Sequence, residues 1–564
     1  MRILVVASAF NSLTQRIHAE LRARDHHVGV ELALGDEPLR AGVAAFQPDV
    51  ILAPMLTTAI SKGIWSAYPV LIVHPGPKGD RGPSSLDWAI HDGEREWGVT
   101  VLQAVEELDA GPVWASVPCT VAHCGKSELY RTEVADAAVR AVLLALDRFA
   151  CGRFEPEPLD YRRPDVRGRL RPYHDQQHRR IAWAADDTAA VLRKLRAADS
   201  QPGVLDELYG CEFYLHGGHG EDRLRGAPGT VIARRDGAIC LATVDGAVWV
   251  PQLRPRRKAG GPPTFKLPAT DALGSRLPAS IPEISVTPEA AACRDTWSEL
   301  RYREDGAVGH LEFRFPGGAM STRQCRSLLS AYRQACARPI DVLVLGPARD
   351  TFSNGIHLNV IEAAEDPAAE SLLNINAMND LVEAILTTTD KLVISVLAGN
   401  AAAGGVMLAL AADEVWCRAG VVLNPHYRLM GLHGSEYWTY LLPRRVGATE
   451  AERLTSAALP VGAGSAVALG LVDRVVPGSA ETFWDSTRRG AARLAGSAEL
   501  AQRLVVKKQR RALDEMTKPL DAYRAEELAR MRRNFFAPGE PYHELRRDFV
   551  RKVAPTKTPP HLHG

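Results

Sequence analysis

The sequence predicts a multidomain protein of the α/β class. Three observations carry this. The chain has 564 residues, and at about 150 residues per domain that allows three or four domains. Short apolar runs alternate with helical patterns over residues 1–150, the order expected of a mostly parallel sheet covered by helices. After a stretch rich in Pro, Gly and Arg at 254–290, the alternation restarts near residue 295.

In the first part, Ile3–Ala7, Val50–Ala53, Val70–Val73 and Val99–Leu102 read as strands, and the segments near 14–25, 84–92 and 126–149 as helices. Ligands of such sheets sit at the carboxyl ends of the strands, and His74 directly follows Val70–Val73. Residues 151–180 are charged, carry several Pro and Arg, and read as a connector. A helix at Thr188–Ala198 leads into Gln201-Pro202-Gly203. Strand-like runs follow at Gly229–Ala233, Ala238–Thr243 and Ala247–Val250, with a turn at Asp245-Gly246, which makes a small domain with a β-rich half. Beyond 295, His310–Phe315 and Val342–Leu345 read as strands around a helix at Thr322–Ala337. A helix at Asn376–Thr388, a strand at Leu392–Leu397 and a Gly/Ala-rich run into Met407–Ala412 come next. Residues 495–552 are helical and strongly charged. The expected divisions are 1–160, 175–255, a linker at 256–292, and 293–564.

Composition narrows the function. Lys and Arg total 68 against 67 Asp and Glu, a net charge of +1, which excludes attachment to nucleic acid by bulk charge. An apolar content of 46% is too high for a disordered chain. The nine cysteines are scattered without CxxC spacing. Cys119, His123 and Cys124 lie close together, but no second ligand pair follows, so no metal site is expected. The opening Met-Arg-Ile-Leu-Val-Val reads as a first strand rather than a signal peptide. No apolar run reaches the roughly 18 residues of a membrane span. A soluble, cytoplasmic protein without membrane or nucleic-acid partners is the expectation.

Two constellations carry chemistry. The first is Val73-His74-Pro75-Gly76, then Gly79-Asp80-Arg81-Gly82, Trp88-Ala89-Ile90, Gly98-Val99-Thr100 and Asp109-Ala110-Gly111. A carboxylate near an imidazole orients it and holds its proton, so His74 and Asp109 suit acyl transfer through a tetrahedral intermediate. This combined pattern resembles the folate-dependent formyltransferases, whose residues run Asn-x-His-Pro-Ser, Arg-Gly, Trp-Ala-Ile, Gly-Val-Thr and Asp-x-Gly. The resemblance implies a Rossmann-like domain that uses 10-formyltetrahydrofolate. The family's Asn falls on Ile72, which cannot polarise a formyl group. Ser12, Thr14, Gln15 and the Lys78–Arg81 loop are the nearby polar candidates. Residues 181–253, through Ile181-Ala182-Trp183, Gly229-Thr230-Val231 and Gln252-Leu253, resemble the small C-terminal β-barrel domain of methionyl-tRNA formyltransferase. No strongly basic face stands out here to imply tRNA binding.

The second constellation comprises Thr351-Phe352-Ser353-Asn354-Gly355-Ile356, Ala398-Gly399-Asn400-Ala401-Ala402-Ala403-Gly404-Gly405 and Leu469-Gly470-Leu471-Val472. It resembles the enoyl-CoA hydratase/isomerase (crotonase) family, which implies an α/β spiral domain. In that family two backbone N–H groups bind the thioester oxygen of an acyl-CoA, and the resemblance places them at Ile356 and Gly404. The positions of the hydratase glutamates carry Met407 and Tyr427, so another reaction on a CoA thioester is implied. Tyr427, His426 and Glu436 are the remaining polar candidates, with Tyr427 and Glu436 preferred. The terminal Arg547-Asp548-Phe549-Val550-Arg551-Lys552 resembles the family's segment near the CoA phosphates, which makes Arg551 and Lys552 candidate contacts.

Together the two halves resemble a family of hydrogenase maturation proteins. That resemblance implies synthesis of carbon monoxide for the [NiFe]-hydrogenase iron, with 10-formyltetrahydrofolate as formyl donor and coenzyme A as carrier through an internal passage. Formyl-CoA has no α-carbon, so enolate chemistry is closed to it, and loss of the formyl hydrogen with expulsion of thiolate remains. Gln15, Arg131 and Ser200 are further candidate CoA contacts. Other maturation proteins or the hydrogenase large-subunit precursor are the implied protein partners. Two alternatives stay open: a bifunctional formyltransferase with separate acyl-CoA hydrolase or lyase activity, and a non-catalytic maturation scaffold.

Overall fold

The structure, a computed structural model, describes residues 1–563, which fall into two compact units. The first comprises residues 1–207, 214–218 and 554–563; the second comprises 208–213 and 219–553.

Six strands form the sheet of the first unit: β1 (Arg2–Ala7), β2 (His27–Leu32), β3 (Val50–Met55), β4 (Val70–His74), β5 (Glu96–Gln103) and β6 (Val113–Thr120). Their order is β2-β1-β3-β4-β5-β6. The β1/β2, β1/β3 and β3/β4 pairs are parallel, whereas β4/β5 and β5/β6 are antiparallel. The four strands expected from the sequence are the inner ones, buried on both faces and therefore continuous apolar runs. The outer strands escaped that reading. Gly29 and Glu31 interrupt β2, and the second half of β6, with Pro118, is partly exposed, as suits an edge strand. The parallel order makes His74 the last residue of a central strand. A helix at Ala135–Cys151 packs on β5 and β6. It is entered through a π-helical turn at Tyr130–Val134 that carries Arg131. The terminal residues, expected to belong with 293–564, group instead with the first unit. There the Leu32 N–H donates to the Thr558 hydroxyl (3.0 Å), partnering the outer edge of β2.

The second unit contains an antiparallel four-stranded sheet of His219–Glu221, Val231–Arg235, Ala238–Ala242 and Ala247–Val250. Trp249 and Trp297 lie in its core. The expected small β-barrel appears as separate sheets, this one and a second that includes Gln252–Pro255 and Leu267–Pro268. The expected linker at 256–292 is in part built into the fold. Leu267–Pro268 pairs with Gln252–Leu253, and the short helix Ala269–Leu273 buries both of its ends. Proline and glycine masked these few apolar anchors in the sequence.

Residues 300–476 build the larger sheet, Leu300–Asp305, Val308–Phe313, Val342–Leu345, Leu392–Leu397, Glu414–Arg418 and Arg474–Val476. It is a hairpin followed by parallel pairs. A three-stranded sheet of Ala401–Ala402, Val422–Asn424 and Val461–Gly462 accompanies it. The helices Thr322–Cys336 and Pro367–Thr387 pack against each other and contribute Leu328, Tyr332, Met378 and Leu381 to the main core. Four α-helices follow among the described residues, Ala480–Ala495, Leu500–Thr517, Leu520–Phe536 and Tyr542–Arg551.

Candidate active sites

In the first unit, the strand end at His74 and the loop after it form the site. The sequence pairs His74 with Asp109, but the structure brings a second acid closer. His74 Nε2 donates to Asp80 Oδ2 at 2.9 Å. The Asp109 carboxylate lies 3.6 Å from Nδ1, outside hydrogen-bond length and well within Coulomb range. His74 and Asp80 are both buried. Asp109 stands on left-handed backbone (φ 55°) and also accepts from the Gly82 N–H at 3.3 Å. Arg171, on the segment read as a connector, places Nε 3.4 Å from the outer oxygen of Asp80 and donates to Asp92.

Gly76 explains why this loop departs from His-Pro-Ser. A Cβ there would lie 2.4 Å from Asp80 Oδ2 and 2.6 Å from His74 Nε2, so a serine and the His74–Asp80 bond exclude each other. Asp80 was legible only as part of the Gly-Asp-Arg-Gly string, and Arg171 had no sequence signal. The loop's cations are engaged with acids, Lys78 with Glu157 and Asp165, and Arg81 with Glu107. Thr14 bonds to Asn11. None of these bonds supplies a replacement donor at Ile72.

Of the candidate CoA contacts, Gln15 donates to the Phe10 carbonyl (3.0 Å) and Arg131 to the Ser127 hydroxyl (3.4 Å). Ser127 donates through its N–H and its hydroxyl to Asp199, the neighbour of Ser200, which is itself left-handed (φ 70°). Asn11, the cap of the Gln15 helix, donates to the Tyr130 hydroxyl at 3.1 Å.

In the second unit, Gly355 is left-handed (φ 78°), and a Cβ on it would lie 3.3 Å from the Gly404 nitrogen. The segment carrying Ile356 and the start of the helix Gly404–Leu410 are therefore brought together, as an oxyanion hole requires. Gly404 cannot be replaced without cost, since a Cβ would lie 2.2 Å from Glu436 Oε1. The Tyr427 hydroxyl donates to Glu436 Oε2 at 2.8 Å, and Tyr427 and Glu436 are both buried. Burial, reinforced by the nearby Glu527 charge and opposed by the Tyr427 bond, pushes the Glu436 carboxyl up to about 8. Burial beside Glu436 also raises the Tyr427 hydroxyl well above its ordinary value. Met407 is fully buried in the apolar core, so no carboxylate stands there to activate water. Glu436 and Tyr437 are consecutive left-handed residues (φ 58° each), a strain of about 1–3 kcal/mol apiece. His426 lies on the same loop, with its N–H donating to Asn424.

The terminal basic residues are placed differently from one another. Arg551 donates to Glu362 (3.3 Å) and the Pro263 carbonyl (3.2 Å), which ties the last helix down. Lys552 is exposed, with its ammonium over the Phe549 ring. Among the described residues, no group of three or more His, Cys, Asp or Glu could hold a metal ion, and no helix is long and apolar enough to cross a membrane.

An acid-flanked histidine at a strand end in one unit, and a buried Tyr–Glu pair beside Gly404 in the other, fit a chain that joins a formyltransferase to a crotonase-type unit. Comparison with known proteins agrees. The formyl transferase family model matches residues 31–146, the formyl transferase C-terminal domain 174–263, and the enoyl-CoA hydratase/isomerase model 305–537. The hydrogenase maturation factor HoxX of Bradyrhizobium diazoefficiens is 48% identical over 99% of this chain and 96% of its own. The crystal structure of HypX from Aquifex aeolicus in complex with tetrahydrofolic acid matches with a TM-score of 0.95 and 42% identity, covering 100% of this chain and 98% of that one. Methionyl-tRNA formyltransferase of Pseudothermotoga lettingae is 27% identical over 34% of this chain. The chain belongs to the HoxX/HypX family of hydrogenase maturation factors.

Proposed function

We propose that this protein makes carbon monoxide for the hydrogenase iron in two steps, with formyl-CoA as the shared intermediate. In the first, the CoA thiol attacks the formyl carbon of 10-formyltetrahydrofolate. The C–N10 bond breaks, the thiol proton is lost, and N10 gains a proton, leaving formyl-CoA and tetrahydrofolate. His74, held by Asp80 and Asp109, stabilises the tetrahedral oxyanion and relays the proton. In the second step the formyl C–H loses its proton, the C–S bond breaks, and the thiolate takes up a proton, giving CO and CoA. The tetrahydrofolate in the A. aeolicus HypX crystal supports folate as the donor's carrier for this chain too.

The observation that carries this reading is the Tyr427–Glu436 pair against Gly404, with Met407 where hydration chemistry needs an acid. A carboxyl near 8 is matched to a thiol of ordinary acidity, about 8.5. One group can therefore take the formyl proton and return it to sulfur. Gln15, Arg131 and Ser200 in the first unit are proposed contacts to the CoA phosphates; in the second unit Lys552 is a separate candidate, whereas Arg551 has its structural partner in Glu362. The test separates the two steps. His74→Ala stops formyl-CoA formation but leaves supplied formyl-CoA to be broken down to CO. Tyr427→Phe forms formyl-CoA that accumulates without CO. Wild-type CO output in both variants overturns the assignment.

A further inference from the structure

The late helix Leu520–Phe536 carries a third buried acid, which none of the chemistry above uses. Glu527 is 1% exposed. Its Oε2 accepts from the Tyr437 N–H (3.0 Å) and the Ser435 hydroxyl (3.3 Å); its Oε1 accepts from the Thr439 N–H (2.9 Å) and hydroxyl (2.5 Å). Tyr437 caps the helix Trp438–Val446, whose first N–H groups have no partner within the helix. Glu527 thus caps that helix from another element, and an ionised carboxylate suits four donors at a helix start.

From the other side, Asn379 holds the residues just before. Its Oδ1 accepts from the Glu436 N–H at 2.8 Å, and its Nδ2 donates to the Ser435 hydroxyl at 2.9 Å. The two side chains fix the backbone on both sides of the left-handed Glu436–Tyr437 pair. Glu436 itself is faced by the Tyr427 hydroxyl, the Cys325 thiol and Glu527. Beyond Tyr437, the Arg524 cation is taken up by Asp380 and Glu383.

We infer that Glu527 is a positioning residue for the CO-releasing step. Its charge, held in place by the 435–439 backbone, sets the protonation of Glu436, and its hydrogen bonds set where Glu436 points. This rests on the reading of Tyr427 and Glu436 given above. Like charges in a dry site titrate as a coupled pair, each raising the other. Burial raises Glu527 to about 7, against the pull of the bonds from Thr439, Tyr437 and Ser435.

The test is infrared titration of the buried carboxyl carbonyl stretch in the full-length protein, alongside the pH profile of CO release from supplied formyl-CoA. The band that Glu436→Gln removes is assigned to Glu436. In Glu527→Gln its midpoint falls, by about one pH unit. The CO-release profile moves with it, kcat drops, and KM for the thioester stays. Glu527→Asp keeps the wild-type midpoint. Reciprocally, the Glu527 band in Glu436→Gln titrates lower than in wild type, a reading that survives if Glu527→Gln does not fold. An unmoved Glu436 midpoint in Glu527→Gln, or an unmoved Glu527 band in Glu436→Gln, overturns the inference. Failure of the wild type to release CO while the bands still shift would instead remove the decarbonylation reading and leave the coupling standing.

Discussion

His74 is useful because of what its loop allows. Asp80 reaches Nε2 only because position 76 has no Cβ. Replacing Asp80 with Asn keeps the shape and removes the charge. Formyl transfer measured as formyl-CoA formed should fall by about 10²–10⁴-fold, the range for a disabled proton relay, with folate binding retained. Gly76→Ser should give a similar loss by displacing Asp80. Full activity in Gly76→Ser would show that the His74–Asp80 bond is dispensable. At the second site, Glu436 is protonated at neutral pH and ionises through about 8. CO release that uses it as base therefore rises with pH through that value, and a profile flat from pH 6 to 9 would exclude it as the base.

Elements decide which residues meet, and here the sequence was legible in some places and not in others. Inner strands such as Val342–Leu345 and Leu392–Leu397 coincide with their sequence expectation because both faces are buried. Edge strands β2 and β6 do not announce themselves, since Gly29 and Glu31 break the apolar run of β2 and the far half of β6 is partly exposed. His74, Gly404, Tyr427 and Glu436 stood out because motifs surround them. Arg171, Asn379 and Glu527 did not, because their roles come from elements far away in sequence, and Asp80, close to His74, was visible only within the Gly-Asp-Arg-Gly string. Glu527 is 91 residues from Glu436 and sits on a helix that reads as a charged surface. The helix start at Gly404 gives an element-scale test. Gly404→Ala puts a methyl into the Glu436 carboxylate, so CO release should collapse while formyl-CoA formation continues. Undiminished CO output would mean that Glu436 does not lie against the oxyanion hole during reaction.

At the scale of the whole molecule, buried titratable groups set how stability follows pH. In the second unit Glu299, Glu436 and Glu527 are raised from 4.5 to about 7, 8 and 7, chiefly by burial. Each adds stability that is full below 4.5 and is lost as pH climbs through 7–8. His310, His357 and His433 are lowered from 6.5 to about 4, again chiefly by burial. Their contribution is full above 6.5 and is lost as pH falls toward 4. The second unit is therefore most stable between about 4.5 and 6.5. Its melting temperature should drop from pH 6 to pH 9, and Glu436→Gln should flatten that slope. A melting temperature that rises over this range would contradict the raised titration of these buried acids.

The joining of the two chemistries in one chain is tested most directly by following a single carbon. Purified protein is given 10-formyltetrahydrofolate labelled with ¹³C in the formyl group, together with CoA, and the gas is captured on a haem reporter. The account predicts labelled CO in step with tetrahydrofolate, dependent on CoA and absent from both His74→Ala and Tyr427→Phe. Labelled formate with no labelled CO would contradict it.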